Sequence, residues 1–218
     1  MHAPVNRRVK LHLASSNPGK LREFVVLANA GSLERDARNP VLPVELELVP
    51  GFSSLPTFPE DAPTFAENAL GKALYYAPLV DGFVFADDSG LAVPALGGAP
   101  GVLSARYAGP NATSKERNAK LLQDLRGKTG DARRAYFVCA IALVRDGRPV
   151  AVLTARVDGQ ILEQPVGTSG FGYDPIFYFP PLQKAFAELS AEEKNRYSHR
   201  GQAFRKLLKV TNGLFLAD

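Results

Sequence analysis

Apolar and polar residues alternate along Val9–Ala14 and again along Val44–Val49. A period of two predicts a half-buried strand in each. Phe83–Ala86 is a continuous apolar run, short enough for a buried strand. Leu21–Leu27 has helical spacing instead. Thr64/Glu67, Thr113/Glu116 and Ser190/Glu193 each place a hydroxyl three residues before a glutamate, the capping-box spacing that opens a helix. The first of these helices is predicted to run to about Ala77 and the second to about Leu125. Ser198-His199-Arg200-Gly201 interrupts or restarts the third, and Ala203–Leu208 continues with helical spacing. Arg134–Glu163 reads as an antiparallel meander. Tyr136–Val144 is one strand, Asp146-Gly147 a hairpin turn, Val150–Val157 the returning strand, and Asp158-Gly159 a second turn. Gly31–Pro43 is polar and proline-punctuated, a surface loop or insertion, and Val93–Gly101 has too much glycine and proline for a helix or central strand.

Strands alternating with capped helices make this an α/β chain. Its 218 residues fit one large domain or two small lobes with ample core. The 45% hydrophobic and 22% charged fractions are those of an ordinary globular protein. A formal charge of +4 suits an anionic small ligand or nucleic acid equally. The single cysteine, Cys139, sits in an apolar run and reads as a small buried hydrophobe, so no disulfide or cysteine-based zinc site forms within one chain. Neither a signal-peptide pattern after Met1–Arg8 nor a run of membrane-spanning length is present, and a cytoplasmic setting is the default expectation.

The chemistry concentrates in Phe85-Ala86-Asp87-Asp88-Ser89-Gly90-Leu91. Acids at the end of an apolar strand need a metal, a cation or backbone donors to offset desolvation. If the strand persists, Asp87 and Asp88 point to opposite faces, and one of them is the better candidate for chemistry. A plain β-turn is the competing reading. Gly90 lets the backbone turn or approach a ligand closely. Ser15-Ser16-Asn17-Pro18-Gly19-Lys20 joins a strand to a helix start, where free amides, the helix dipole and Lys20 favour an anion; an N-cap turn with a solvated lysine is the competing reading. It is not a Walker A loop, because Leu21 follows the lysine. Asn68 and Lys72 share a helix face, and Glu60, in the preceding loop, is either a solvated loop acid or one that could reach a metal. Gly170-Phe171-Gly172-Tyr173-Asp174 interleaves glycines with aromatics, which suits stacking on a nucleobase as well as a tight turn whose rings join the core. His199-Arg200 presents cationic donors near a glycine.

Taken together, six motifs resemble one family. They are Ser-Ser-Asn-Pro-Gly-Lys at 15–20, Thr-Phe-Ala-Glu-Asn-Ala at 64–69, Ala-Asp-Asp-Ser-Gly-Leu at 86–91, Leu-Gly-Gly-Ala-Pro-Gly-Val-Leu-Ser-Ala-Arg-Tyr-Ala-Gly at 96–109, Gly-Phe-Gly-Tyr-Asp-Pro-Ile-Phe at 170–177 and Ser-His-Arg-Gly-Gln-Ala at 198–203. In this order they are similar to the inosine triphosphate pyrophosphatases, the non-canonical purine NTP pyrophosphatases, from about Lys10 to Leu208. The resemblance implies a single domain over 1–218, a long twisted mixed sheet flanked by helices, and two lobes around a nucleotide-binding cleft. It implies Mg²⁺-dependent hydrolysis of ITP, dITP and XTP to the monophosphate and pyrophosphate, which cleanses the nucleotide pool, and a homodimer with no membrane or nucleic-acid partner. By the same resemblance Asp88 is the general base and a metal ligand, and Glu60 is the second metal acid. Ser15, Ser16, Asn17, Pro18, Gly19 and Lys20 form the triphosphate turn, and Ser89 is a substrate contact. Phe171, Gly172, Tyr173 and Asp174 form the base and sugar site, with Phe171 the stacking face. Lys194, His199 and Arg200 read the base. A different Mg²⁺-dependent phosphohydrolase, a nucleic-acid binder and a nucleotide-binding regulator without catalysis are the competing functions, separated by the products released and by the salt dependence of binding.

Overall fold

A computed structural model of the chain describes residues 8–31 and 43–217. Most of the Gly31–Pro43 stretch read as a loop lies outside the described residues, as do Met1–Arg7 and Asp218. The order is β1 (Val9–Leu13), α1 (Pro18–Gly31), β2 (Val44–Leu48), α2 (Phe65–Tyr76), β3 (Phe83–Ala92), α3 (Ser114–Asp124), β4 (Arg134–Arg145), β5 (Arg148–Ile161), β6 (Phe177–Phe179), β7 (Lys184–Ala185), α4 (Ala191–Tyr197) and α5 (His199–Ala217). One seven-stranded sheet runs β2-β1-β3-β4-β5-β6-β7. β1 pairs in parallel with both β2 and β3, and every later pairing is antiparallel, so the sheet is mixed as expected.

Both faces of the sheet are covered, and the strand period of two sorts residues between them. On one face α1 and α5 pack Phe24, Leu27, Phe204 and Leu207 against Phe83, Phe85, Cys139, Ile141 and Leu143. Phe24, Phe85 and Phe204 meet with ring centroids 5.2–5.9 Å apart. On the other face α2 packs Ala69, Ala73 and Tyr76 against Val84, Ala86, Ala140, Ala142 and Val144. A third cluster joins Leu121 of α3 and Leu125, its C-cap, to Leu91, Phe137, Phe177 and Phe186. Cys139 is buried, as its apolar surroundings predict.

The caps at Thr113 and Ser190 form complete boxes. At Thr64 the hydroxyl accepts from Glu67 N, but Glu67 returns its carboxylate to that hydroxyl instead of the backbone. Ser198 ends α4 in extended backbone, and its Oγ accepts from Gly201 N, restarting the chain as α5. Asp146 and Gly147 both adopt positive φ and make the tight β4–β5 turn. Asp158-Gly159 is not a turn: β5 runs straight through it to Ile161. A Cβ at Gly159 would lie 2.4 Å from Tyr178 O and 2.6 Å from the Phe177 ring. The glycine serves the close approach of β6, a demand that looks like a turn signal when read locally.

Candidate active site

β3 does persist through the motif, and its alternation separates the two carboxylates. Asp87 points with Phe85 and Ser89 to the α1/α5 face, where it is fully buried. Its Oδ2 lies 3.0 Å from Lys20 Nζ and 3.6 Å from Arg200 Nε, and it accepts from Ser89 Oγ at 3.3 Å. Burial raises its pKa, but Lys20, Arg200 and Lys72 outweigh burial and hold it at about 2. Asp88 points the opposite way and lines a cavity of about 570 Å³. Its Oδ2 accepts from Asn68 Nδ2 at 3.0 Å and its Oδ1 from Ser89 N at 2.8 Å. Burial, with Glu60 adding repulsion, lifts its pKa to about 6 against the pull of Lys20 and Lys72. A carboxylate poised near neutrality at a cavity wall is equipped to take a proton from water.

Gly90 follows on the Asp88 face. A Cβ there would sit 2.3 Å from Ser104 Oγ and 2.7 Å from Gly101 O. Gly90 is therefore not a turn: it lines the cavity and allows the close seating of the 3₁₀ segment Gly101–Arg106 on β3.

The turn before α1 is an N-cap turn, the alternative its sequence offered, although Lys20 is not solvated but pairs with Asp87. Asn17 Oδ1 accepts from Gly19 N at 2.9 Å and Lys20 N at 3.2 Å, so these helix-start amides are capped instead of free for an anion. Ser15, Ser16, Asn17 and Lys20 line the cavity. Pro18 is exposed in the first turn of α1 and Gly19 is buried; neither lines the cavity. Gly19 leaves room for Phe171, whose ring would lie 2.9 Å from an added Cβ.

The Gly170–Asp174 loop lines the cavity through all four predicted residues, Phe171, Gly172, Tyr173 and Asp174. Phe171 is half-buried and lines the cavity, with Lys194 Nζ 4.7 Å and the Arg200 guanidinium 5.5 Å from its ring centre. Tyr173 joins the core, and its hydroxyl donates to Ser104 O at 2.9 Å. Gly172 takes positive φ. Asp174 is buried, accepts from Phe171 N at 2.7 Å and pairs with Lys194 at 2.6 Å; burial raises its pKa despite that lysine. His199 stacks on Phe137 at 4.6 Å. Burial, reinforced by Arg200 and Lys194, depresses its pKa well below the usual histidine range, so it is neutral at pH 7. Its Nδ1, Arg200 Nε and Asp87 Oδ1 are buried without a hydrogen-bond partner.

Three participants have no role in the sequence reading. Glu23 on α1 pairs with Lys194 at 2.6 Å and with Arg200, and these cations with Arg200's favourable hydrogen bond lower its pKa against burial. Its position three residues after Lys20, on one helix face, is the available signal. Lys72 pairs with Glu60 and donates to Asp87 O at 2.7 Å, while Asn68 ties Asp88 to Ala62 O and N. Both share the α2 face recognised from sequence, but their partners are distant in the chain.

Glu60 and Asp88 fit a hard divalent cation. Both line the cavity with carboxylate oxygens, and the charge of Glu60 opposes ionisation of Asp88. Among the described residues there is no group of three or more His, Cys, Asp or Glu side chains placed to hold a metal, so an ion held by Glu60 and Asp88 would need further ligands from outside these side chains. Also among the described residues, no helix is long and apolar enough to cross a membrane.

Against known proteins, the Ham1 family profile matches residues 11–210. A dITP/XTP pyrophosphatase of Geobacillus kaustophilus is 46% identical over 196 residues, covering 89% of this chain and 90% of that one. One of Thermus thermophilus is 45% identical over 204 residues, covering 94% and 92%. In structure, a HAM1 protein of Coxiella burnetii superposes with a TM-score of 0.78 at 41% identity, covering 94% of this chain and 99% of that one. The Staphylococcus aureus Ham1 protein gives 0.78 at 37% identity, covering 94% and 98%.

Proposed function

The chain belongs to the Ham1 family, and from that membership and the cavity's chemistry we propose that it hydrolyses dITP, XTP and ITP to the nucleoside monophosphate and pyrophosphate. The observation that carries the reading is the pairing of two chemistries in the lining of one cavity. Asp88, Glu60, Lys20 and Lys72 supply its carboxylates and cations for phosphate and metal, and Phe171, Lys194, His199 and Arg200 supply an aromatic face with polar neighbours for a base.

In this reading the phosphates lie among the first group. Lys20, with Ser15 and Ser16, binds and orients them. Asp88, held by Asn68 and Ser89 N, accepts a proton from the water that attacks the α-phosphorus. Mg²⁺, the cofactor we assign to Glu60 and Asp88, draws charge from the phosphates when bound. Lys72 fixes Glu60 in place. The base lies against Phe171, whose loop is tied to α4 through Asp174 and Lys194.

Selectivity follows from donors. Hypoxanthine and xanthine carry a carbonyl at position 6 where adenine carries an amino group. Lys194 and Arg200, buried donors already held by Glu23, Asp174 and Ser89, can add a bond to a carbonyl, whereas an amino group in the same place meets donor against donor, a mismatch of about 1–3 kcal/mol per contact. We read the chain as one domain of two lobes about this cavity, acting in the cytoplasm as a homodimer without nucleic acid.

A product assay tests the proposal. Purified protein receives dITP, XTP, ITP, GTP and ATP with and without Mg²⁺, and the nucleotide, pyrophosphate and phosphate released are measured. Metal-dependent monophosphate and pyrophosphate from the first three, with ATP and GTP much slower, is the expected result. Diphosphate plus inorganic phosphate moves the chain to another hydrolase class, and absence of turnover leaves a binding protein.

A further inference from the structure

Arg106 ends the 3₁₀ segment Gly101–Arg106 and lines the same cavity as Glu60, Lys72 and Asp88. Its Nη2 donates to Glu60 O at 2.7 Å. That contact places the guanidinium beside Glu60, one of the two carboxylates assigned to the metal. Lys20 and Lys72, the other cations assigned to the phosphates and metal, each face a carboxylate: Lys20 pairs with Asp87 and Lys72 with Glu60. Arg106 meets only a neutral carbonyl among its described hydrogen bonds and is exposed. Its charge is therefore the least compensated of the three.

The mount beneath Arg106 is rigid. Ser104 Oγ donates to Gly101 O at 2.6 Å and accepts from Leu91 N at 2.9 Å. Arg117 Nη1 donates to Ala105 O at 3.0 Å, next to Arg106 in the chain. Gly90 lets this segment sit directly on β3. A braced, planar, uncompensated guanidinium is suited to bidentate binding of phosphate oxygens.

The geometry points to Arg106 as a pyrophosphate-binding residue. One of its nitrogens holds the Glu60 carbonyl, and the rest of its fork receives the two outer phosphates that leave as pyrophosphate. This rests on the proposed hydrolysis, and it adds a substrate contact that the sequence motifs do not assign.

The test separates pyrophosphate binding from monophosphate binding. Calorimetric titration with Mg²⁺ present measures binding of inorganic pyrophosphate and, separately, of IMP to the wild type, Arg106→Gln and Arg106→Lys. Arg106→Gln is expected to weaken pyrophosphate binding about tenfold and leave IMP within twofold, because one charge-assisted contact to pyrophosphate is lost. Arg106→Lys keeps the charge without the fork and is expected to fall between. Unchanged pyrophosphate affinity in Arg106→Gln, equal weakening of both ligands, or no pyrophosphate binding to the wild type each overturns the assignment. If the wild type also fails to release pyrophosphate from dITP, the proposed function falls with it; if it hydrolyses dITP normally, only the role of Arg106 is lost.

Discussion

Two adjacent aspartates with the same side chain behave as different chemical groups because the β3 pleat gives them different neighbours. Asp87 is surrounded by Lys20, Arg200 and Lys72 and stays ionised in any working buffer. Asp88 is held up near 6 by burial and by Glu60. Asp88→Asn is expected to lower kcat for dITP by at least about 10²-fold, the scale of a lost general base, with an unchanged circular dichroism spectrum. Glu23 is the counter-charge of two buried cations. Glu23→Gln leaves Lys194 and Arg200 short of an anion, and breaking a buried pair from one side costs on the order of 3 kcal/mol. Urea unfolding is expected to show that loss, together with a raised KM for dITP. Near-wild-type values for both would mean that Asp174 and Asp87 alone hold the two cations.

At the scale of elements, glycines decide how closely segments approach. Gly90 seats Gly101–Arg106 on β3, Gly159 admits β6, and Gly201 brings α5 against Asn195 O of α4, where an added Cβ would be only 1.9 Å away. Gly90→Ala is expected to cost about 1–3 kcal/mol through overpacking, read by thermal melting, and to lower dITP turnover because the segment carrying Arg106 shifts. Phe204 holds α5 on the sheet through Phe24 and Phe85. Phe204→Ala is expected to destabilise by about 3–5 kcal/mol in urea titration. A strand, a helix or a tight turn announces itself through period and caps, as at the Asp146-Gly147 hairpin. A glycine that serves a distant neighbour carries no such mark, which is why Asp158-Gly159 resembles a turn and is not one.

For the whole molecule, His199 links stability to pH. Its native pKa lies well below 6.5, so the folded state keeps it neutral where the unfolded chain takes up a proton. The stability it contributes is complete above the unfolded pKa and is lost progressively as pH falls below about 6.5 toward the depressed native value. Melting temperature is expected to drop between pH 7 and pH 5, and His199→Gln to flatten part of that slope. An unchanged slope in the variant would place the acid sensitivity elsewhere.

The sequence by itself determined the α/β class, the strands around Val9–Ala14, Val44–Val49 and Phe83–Ala86, the capped helices and the chemical inventory of the cavity. All of these rest on local period, caps and residue type, which neighbours in the chain settle among themselves. Only the tertiary structure decided which aspartate faces the cavity, because that depends on α2 covering one face of β3 while α1 and α5 cover the other. It also decided that Tyr173 lines the cavity from within the core while Phe171 stays half-buried, and that Glu23, Lys72 and Arg106 belong with the site. Arg200 meets Glu23 across 177 positions of sequence and Ser89 across 111. Desolvation and ion pairing act through space, so charges that compensate one another at such separations leave no trace in a local pattern.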